Sequence, residues 1–127
     1  IIDFMCEAAD RRLVKSAHDI SEGGIAVALC EMCFGGGNVG VNVKLESGIR
    51  NDALLFGENH GRVILEIDVN NAQAITALAE KYNLPISKIG RTCSGLIEIS
   101  NKTDKLISSK VSELEKIWKN SIGDRMK

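Results

Sequence analysis

Residues 16–24 read Ser16-Ala17-His18-Asp19-Ile20-Ser21-Glu22-Gly23-Gly24, and the run from Ile25 to Phe34 that follows carries one charged residue, Glu31. Before this stretch, Leu13 to His18 is short and suits a buried strand. After it comes a helix apolar on nearly every side, the pattern of an element buried on most sides. A strand therefore ends, polar side chains cluster, and two glycines open a helix. Backbone N–H groups at such a helix start are free to hold an anion, and Gly23 and Gly24 let a phosphate or another backbone come close. His18 and Asp19 suit an acid/base or hydrogen-bonding pair. A plainer reading stands beside this one: Ser21 or Asp19 caps the helix, Glu22 favours its dipole, and the glycines serve close packing on the sheet.

Working outward, residues 1–13 place Ile1, Met5, Ala8, Ala9 and Leu13 on one helical face. Gly35-Gly36-Gly37-Asn38 stops the buried helix. Val39, Val41, Val43 and Leu45 then alternate with polar or small residues, the period of a half-buried strand. Residues 46–53 read as loop, and Asp52 to Phe56 as one helical turn. Arg62 to Val69 is the strongest strand pattern in the chain. A helix follows with Ala72, Ile75, Leu78, Ala79 and Tyr82 at helical spacing, with Asn70 as N-cap and Gln73 at the capping-box position. Ile86 to Thr92 and Leu96 to Ile99 read as two strands of a hairpin turning at Cys93-Ser94-Gly95. Ile107, Val111, Leu114 and Trp118 mark a last amphipathic helix with Trp118 as packing anchor. This order, without repeats, gives an α+β expectation: a mixed, largely antiparallel sheet with helices packed on it.

The 127 residues make one domain's worth of chain, 44% hydrophobic and 26% charged. That balance excludes a disordered chain. Sixteen Lys+Arg against 17 Asp+Glu, a net charge of -1, argue against a dedicated nucleic-acid binder. No apolar run approaches the roughly 20 residues of a membrane helix. No secretion signal precedes the four cysteines, so they are expected reduced and the protein cytoplasmic. The chain opens directly into a helical pattern on Ile1, as a fragment of a longer chain would.

Two further segments carry polar function. Leu55-Phe56-Gly57-Glu58-Asn59-His60-Gly61-Arg62 sets Glu58, Asn59, His60 and Arg62 on a loop beside a strong strand; a solvated loop with an edge ion pair is the alternative. Cys30-Glu31-Met32-Cys33 has CxxC spacing, but a zinc site needs a second ligand pair and none is present. In its apolar helix the pair reads as buried core, and no metal site is expected. The chain holds no GxxxxGK[ST] loop, no dinucleotide fingerprint, no acids paired at metal-binding spacing and no Ser-His-Asp set, so no catalytic centre is expected within it.

SAHDISEGGIAVALCEMCFGGG (16–37) resembles the opening of the C-terminal domain of the phosphoribosylformylglycinamidine synthase family, whose usual form is HD-[VI]-S-[DE]-GGL-AVAL-AEM. LLFGENHGRVIL (54–65) resembles that family's LFSES-x-xR loop and strand, and Trp118 with Met126 resembles its terminal Trp…Met helix. The resemblance implies part of an ATP-dependent ligase of purine biosynthesis. That enzyme converts formylglycinamide ribonucleotide and glutamine-derived ammonia to formylglycinamidine ribonucleotide, using ATP and Mg2+. It implies the last C-terminal-type domain of a duplicated synthetase. The partners implied are the remaining synthetase domains, a glutaminase subunit, a small third subunit in short-form systems and the ribonucleotide substrate. No nucleic acid, no membrane, and no cofactor held by this domain alone are implied.

The contact residues that the resemblance implies, toward nucleotide phosphate or an interface, are His18, Asp19, Ser21, Gly23, Gly24, Glu58 and Arg62. The first half of such a synthetase carries Glu-Ser-Gln in the loop; here the sequence is Glu58-Asn59-His60. Two other roles stand beside the ligase: a structural duplicate that braces a nucleotide site, and a domain of a related ATP-using enzyme. Selenophosphate synthetase, thiamine-monophosphate kinase and the hydrogenase-maturation dehydratase are the candidates of that last kind.

Overall fold

The computed structural model describes residues 1–126. Helix α1 (Ile2–Asp10) buries Phe4 and Ala8, one turn apart. Ile1 and Ala9, expected on the inner face, are exposed, and Leu13 is buried from beyond the helix end. The face turns because Phe4 is the larger apolar group: its ring meets Tyr82 edge-on, centroids 6.4 Å apart.

Strand β1 (Val14–Asp19) pairs antiparallel with β3 (Val63–Ile67) and with no other strand among the described residues. β1 is therefore not the buried strand expected: Lys15, Ser16, Ala17 and Asp19 are exposed. β3 alternates its contacts, Ile64 toward one core and Leu65 and Ile67 toward a second. Apolar groups are thus needed on both faces, which is why its sequence runs VILEI almost without interruption.

Helix α2 (Gly24–Cys33) lies at the centre of the first core, burying Gly24, Ile25, Ala26, Ala28, Leu29 and Cys33. It ends as expected before the glycines, where Gly35 and Gly37 take φ of +73° and +69°. The chain then enters β2 (Val39–Leu45), which lies inside a four-stranded sheet of order β4-β2-β5-β6. Its edges are β4 (Gly90–Ser94) and β6 (Asp104–Lys110), and β5 (Leu96–Asn101) lies between β2 and β6.

The hairpin expected around residues 93–95 does not form. β4 runs antiparallel along one side of β2 and β5 parallel along the other, so the turn arches over the start of β2. Gly95 N–H donates to the Asn38 carbonyl at 2.8 Å at the top of this arch. Gly40 lets the arch close: a Cβ there would stand 2.0 Å from the Leu96 carbonyl oxygen. Separating the two strands gives Ile97 and Ile99 the flank of Val41 and Val43, and both isoleucines are fully buried. Each contributes about 1.5–3 kcal/mol by burial.

Helix α3 (Asn51–Phe56) buries Leu54 and Leu55. Helix α4 (Ala72–Lys81) buries Ile75, Leu78 and Ala79 against α1, while Ala72, expected on that face, is exposed. Asn70 and Gln73 do not form a capping box. Asp68 accepts the Asn70 N–H at 3.0 Å and winds Val69–Asn71 into a 3₁₀ turn, which moves the helix start past Asn70.

The last helix, α5 (Val111–Arg125), begins later than expected. Ile107 belongs to β6, opposite Ile99. An inward-facing strand residue followed by Val111 mimics one helical step. Trp118 meets the Phe34 ring at 5.5 Å but stays 54% exposed, a flanking contact and not a core anchor. The α+β class and its largely antiparallel pairing hold, with the strands divided between a ribbon and a mixed sheet. No helix among the described residues is long and apolar enough to cross a membrane.

Candidate functional site

The fold joins the two polar segments at one end of the β1–β3 ribbon. His18 lies opposite Ile64 and Asp19 opposite Val63 in the ladder. One step further, Ile20 N–H donates to the Arg62 carbonyl at 2.9 Å. The residues that leave β1 for α2 thus run beside those that enter β3 from the 57–62 loop.

Neither Ser21 nor Asp19 caps α2. The N-cap is Gly23, in the left-handed region at φ +80°, with no capping side chain of its own. Its N–H donates instead to Glu58 Oε1 at 2.9 Å, from a residue 35 positions away. The Ser21 carbonyl accepts the Gly24 N–H at 3.2 Å, so Ser21 takes part through its backbone while its side chain is exposed. Gly24 is buried at φ +70°, and a Cβ there would stand 2.5 Å from the Leu55 carbonyl oxygen. This glycine serves backbone packing, as the plainer sequence reading expects, but against α3 and not against the sheet.

His18 is held from two sides. Its Nδ1 lies 2.6 Å from the Asp19 carbonyl oxygen and its Nε2 2.8 Å from Glu31 Oε2. The partner of His18 is therefore Glu31; the Asp19 carboxylate is 3.8 Å away and largely in solvent. Sequence reasoning missed Glu31, though a signal existed. One carboxylate on an otherwise apolar, buried helix needs a partner within reach.

Arg62 is half-buried, and Asn59 and His60 are exposed on the loop. Among the described residues, no three His, Cys, Asp or Glu side chains come together to hold a metal ion. Two shallow surface depressions among the described residues lie elsewhere, one along α4 at Ala72, Gln73 and Thr76 and one along α5 at Ser112, Glu115 and Lys119. Asp19, Ser21, Glu58, Asn59 and His60 are exposed, so this polar edge is open to solvent.

The CxxC pair belongs to the core side of α2. Cys33 is buried, as the sequence leads one to expect, and Cys30 is only half-buried because it lies toward the edge of the apolar face. Burial, and then the neighbouring Cys30, Cys93 and Glu66, push the Cys33 thiol up to about 11. Burial, and then Glu31, raise Cys30 as well. Neither has the lowered pKa of a reactive thiol.

Residues 1–99 match the family described as "AIR synthase related protein, C-terminal domain". Phosphoribosylformylglycinamidine synthase subunit PurL of Cutibacterium acnes is 36% identical over 123 residues, covering 96% of this chain and 16% of the relative. Among solved structures, Thermotoga maritima PurL complexed with ATP superposes with a TM-score of 0.79 at 22% identity, over 90% of this chain and 21% of that one. The same protein complexed with FGAR superposes with a TM-score of 0.79, also at 22% identity, over 90% of this chain and 20% of that one. The chain spans about a sixth of the length of the curated relatives it matches.

Proposed function

This chain belongs to the family of AIR synthase related proteins, as their C-terminal domain, and from that membership we propose that it serves as one domain of a phosphoribosylformylglycinamidine synthase. In that role it is part of an ATP-dependent carbon–nitrogen ligase of the cytoplasm. The reaction makes formylglycinamidine ribonucleotide from formylglycinamide ribonucleotide and glutamine-derived ammonia, with ATP and Mg2+. The remaining domains of the synthetase supply most nucleotide and metal contacts. A glutaminase subunit, and in short-form systems a small third subunit, supply ammonia and complete the assembly.

The observation that carries this reading is the joining of two distant segments. HDISEGG and FGENHGR are apart in sequence, yet the fold places them side by side through the Ile20–Arg62 and Gly23–Glu58 bonds. His18, Asp19, Ser21, Gly23, Glu58 and Arg62 thereby line a single edge, with Gly24 packed beneath it against α3. On this reading the edge meets either a nucleotide or the neighbouring domain that holds one. Being open, it needs a second wall from elsewhere in the synthetase, and the domain alone is inactive.

The test is to mix this chain with the separately expressed remainder of its synthetase, and to measure ADP formation with formylglycinamide ribonucleotide and ammonia. Activity that arises only on mixing supports the reading. No ADP formation from a verified complex, together with turnover of selenide or thiamine phosphate, would replace it with a related ATP-using activity.

A further inference from the structure

We infer that Glu58 is a positioning residue: its carboxylate fills the start of α2 from within the chain, closes that start to external anions, and pins the 57–62 loop in one conformation. The inference rests on the reading of this edge as a ligand- or domain-facing wall, and says which parts of the wall are free to face anything.

Both sides of the contact are fixed by backbone. Gly23 sits at φ +80°, where a Cβ would be 2.4 Å from Val27 Cγ2, so the direction of its N–H is set by the tight entry into α2. The loop leaves α3 through Gly57, whose N–H donates to the Ala53 carbonyl at 2.9 Å and whose Cβ, if it had one, would be 2.4 Å from that oxygen. It re-enters the ribbon where the Arg62 carbonyl accepts Ile20 N–H at 2.9 Å. Between these two anchors, the Glu58–Gly23 bond ties the loop to α2 at 2.9 Å.

The electrostatics favour Glu58 over a visitor. A helix start attracts negative charge through its exposed N–H groups and the aligned peptide dipoles. Glu58 supplies that charge on a short tether, with an effective concentration in about the millimolar range. A free phosphate must displace it and also approach a carboxylate of like sign. The phosphate reading of Gly23 and Gly24 therefore gives way to an internal anion. The side chains left to read a ligand or a neighbouring domain are those that Glu58 holds in place: Asn59, His60 and Arg62.

The test uses the full 15N-labelled chain as wild type, Glu58→Gln and Glu58→Ala. The Gly23 amide is expected to exchange about tenfold or more faster in Glu58→Ala, and residues 59–61 to gain fast backbone motion. Glu58→Gln keeps an acceptor oxygen and is expected to restore both readouts most of the way, a rescue that general destabilisation does not produce. Titration of the wild type with inorganic phosphate is expected to leave the Gly23 and Gly24 amide signals in place. Saturable shifts of those signals in the wild type would overturn the inference, as would unchanged Gly23 exchange in Glu58→Ala. Should Glu58→Ala fail to fold, the phosphate titration and the Glu58→Gln spectrum still decide. None of these readouts needs turnover, so an incorrect ligase assignment would not produce a negative result here.

Discussion

His18 Nε2 lies 2.8 Å from Glu31 Oε2, and this bond ties strand β1 to the middle of helix α2. The opposite ring nitrogen is held by the Asp19 carbonyl, so the imidazole plane is fixed within the polar edge. Both side chains are partly screened, 25% and 33% exposed, which places their pairing above a solvent-exposed ion pair in worth. Glu31→Ala is expected to cost about 1 kcal/mol by chemical denaturation. It should also broaden the His18 ring resonances as the ring gains a second orientation. Unchanged ring resonances would show that Glu31 does not orient His18.

Gly24→Ala separates packing from capping. The new methyl would meet the Leu55 carbonyl at 2.5 Å in a left-handed conformation, and a loss of about 3 kcal/mol or more is expected. Gly48→Ala is the control: nothing lies within 4 Å of the added carbon and its φ is not in the left-handed region. That change should be neutral or stabilise by about 0.4–1 kcal/mol. Equal melting temperatures for the two variants would refute the close approach of α2 to α3.

Cys33 should be the slowest of the four thiols to react. With its thiol held at about 11, its thiolate fraction at pH 8 is about a hundredfold below that of an ordinary thiol of 9.0. Mass spectrometry after timed alkylation of the native chain should show exposed Cys6 modified first and Cys33 last. The raised value also sets a sign. The neutral buried thiol contributes stability that is complete below 9.0 and declines as pH rises toward 11.

Acid should loosen the second core first at Glu7. The carboxylate accepts from Lys81 Nζ at 2.6 Å and Tyr82 Oη at 2.7 Å, linking α1 to the end of α4. Lys81, then Tyr82, hold the Glu7 carboxyl below its usual 4.5. A lowered carboxylate contributes stability that is present above 4.5 and lost as pH falls through the folded value. Lys81 is raised by the same contact, so its contribution is present below 10.5 and lost above it. The gap in melting temperature between wild type and Glu7→Gln should therefore close as pH drops from about 7 to about 3. A constant gap would place the effect in packing.

The elements legible in the sequence are those whose signal is local. α2 shows its buried character in an unbroken apolar run, and β2 its alternation; both end where the chain changes composition. What stayed hidden depends on distant residues. The arch at Gly95 follows from β2 inserting between two neighbours in sequence, which no turn signal records. Glu58 caps α2 from 35 residues away, so the local candidates Ser21 and Asp19 looked sufficient. The start of α5 was misplaced because Ile107 happens to sit one helical step before Val111. At the edge itself, motif order placed the seven residues in two groups; only the β1–β3 register shows that the groups touch.

The most direct measurement is turnover set against melting temperature for Asp19→Ala in the synthetase reassembled from this chain and its remaining domains. The Asp19 side chain is 74% exposed and contributes little to the fold. If the polar edge serves the ligase reaction, ADP formation with formylglycinamide ribonucleotide should fall at least about tenfold while the melting temperature stays within about a degree. Full turnover at an unchanged melting temperature, or a parallel fall of both, would contradict a functional edge and leave the domain a structural brace.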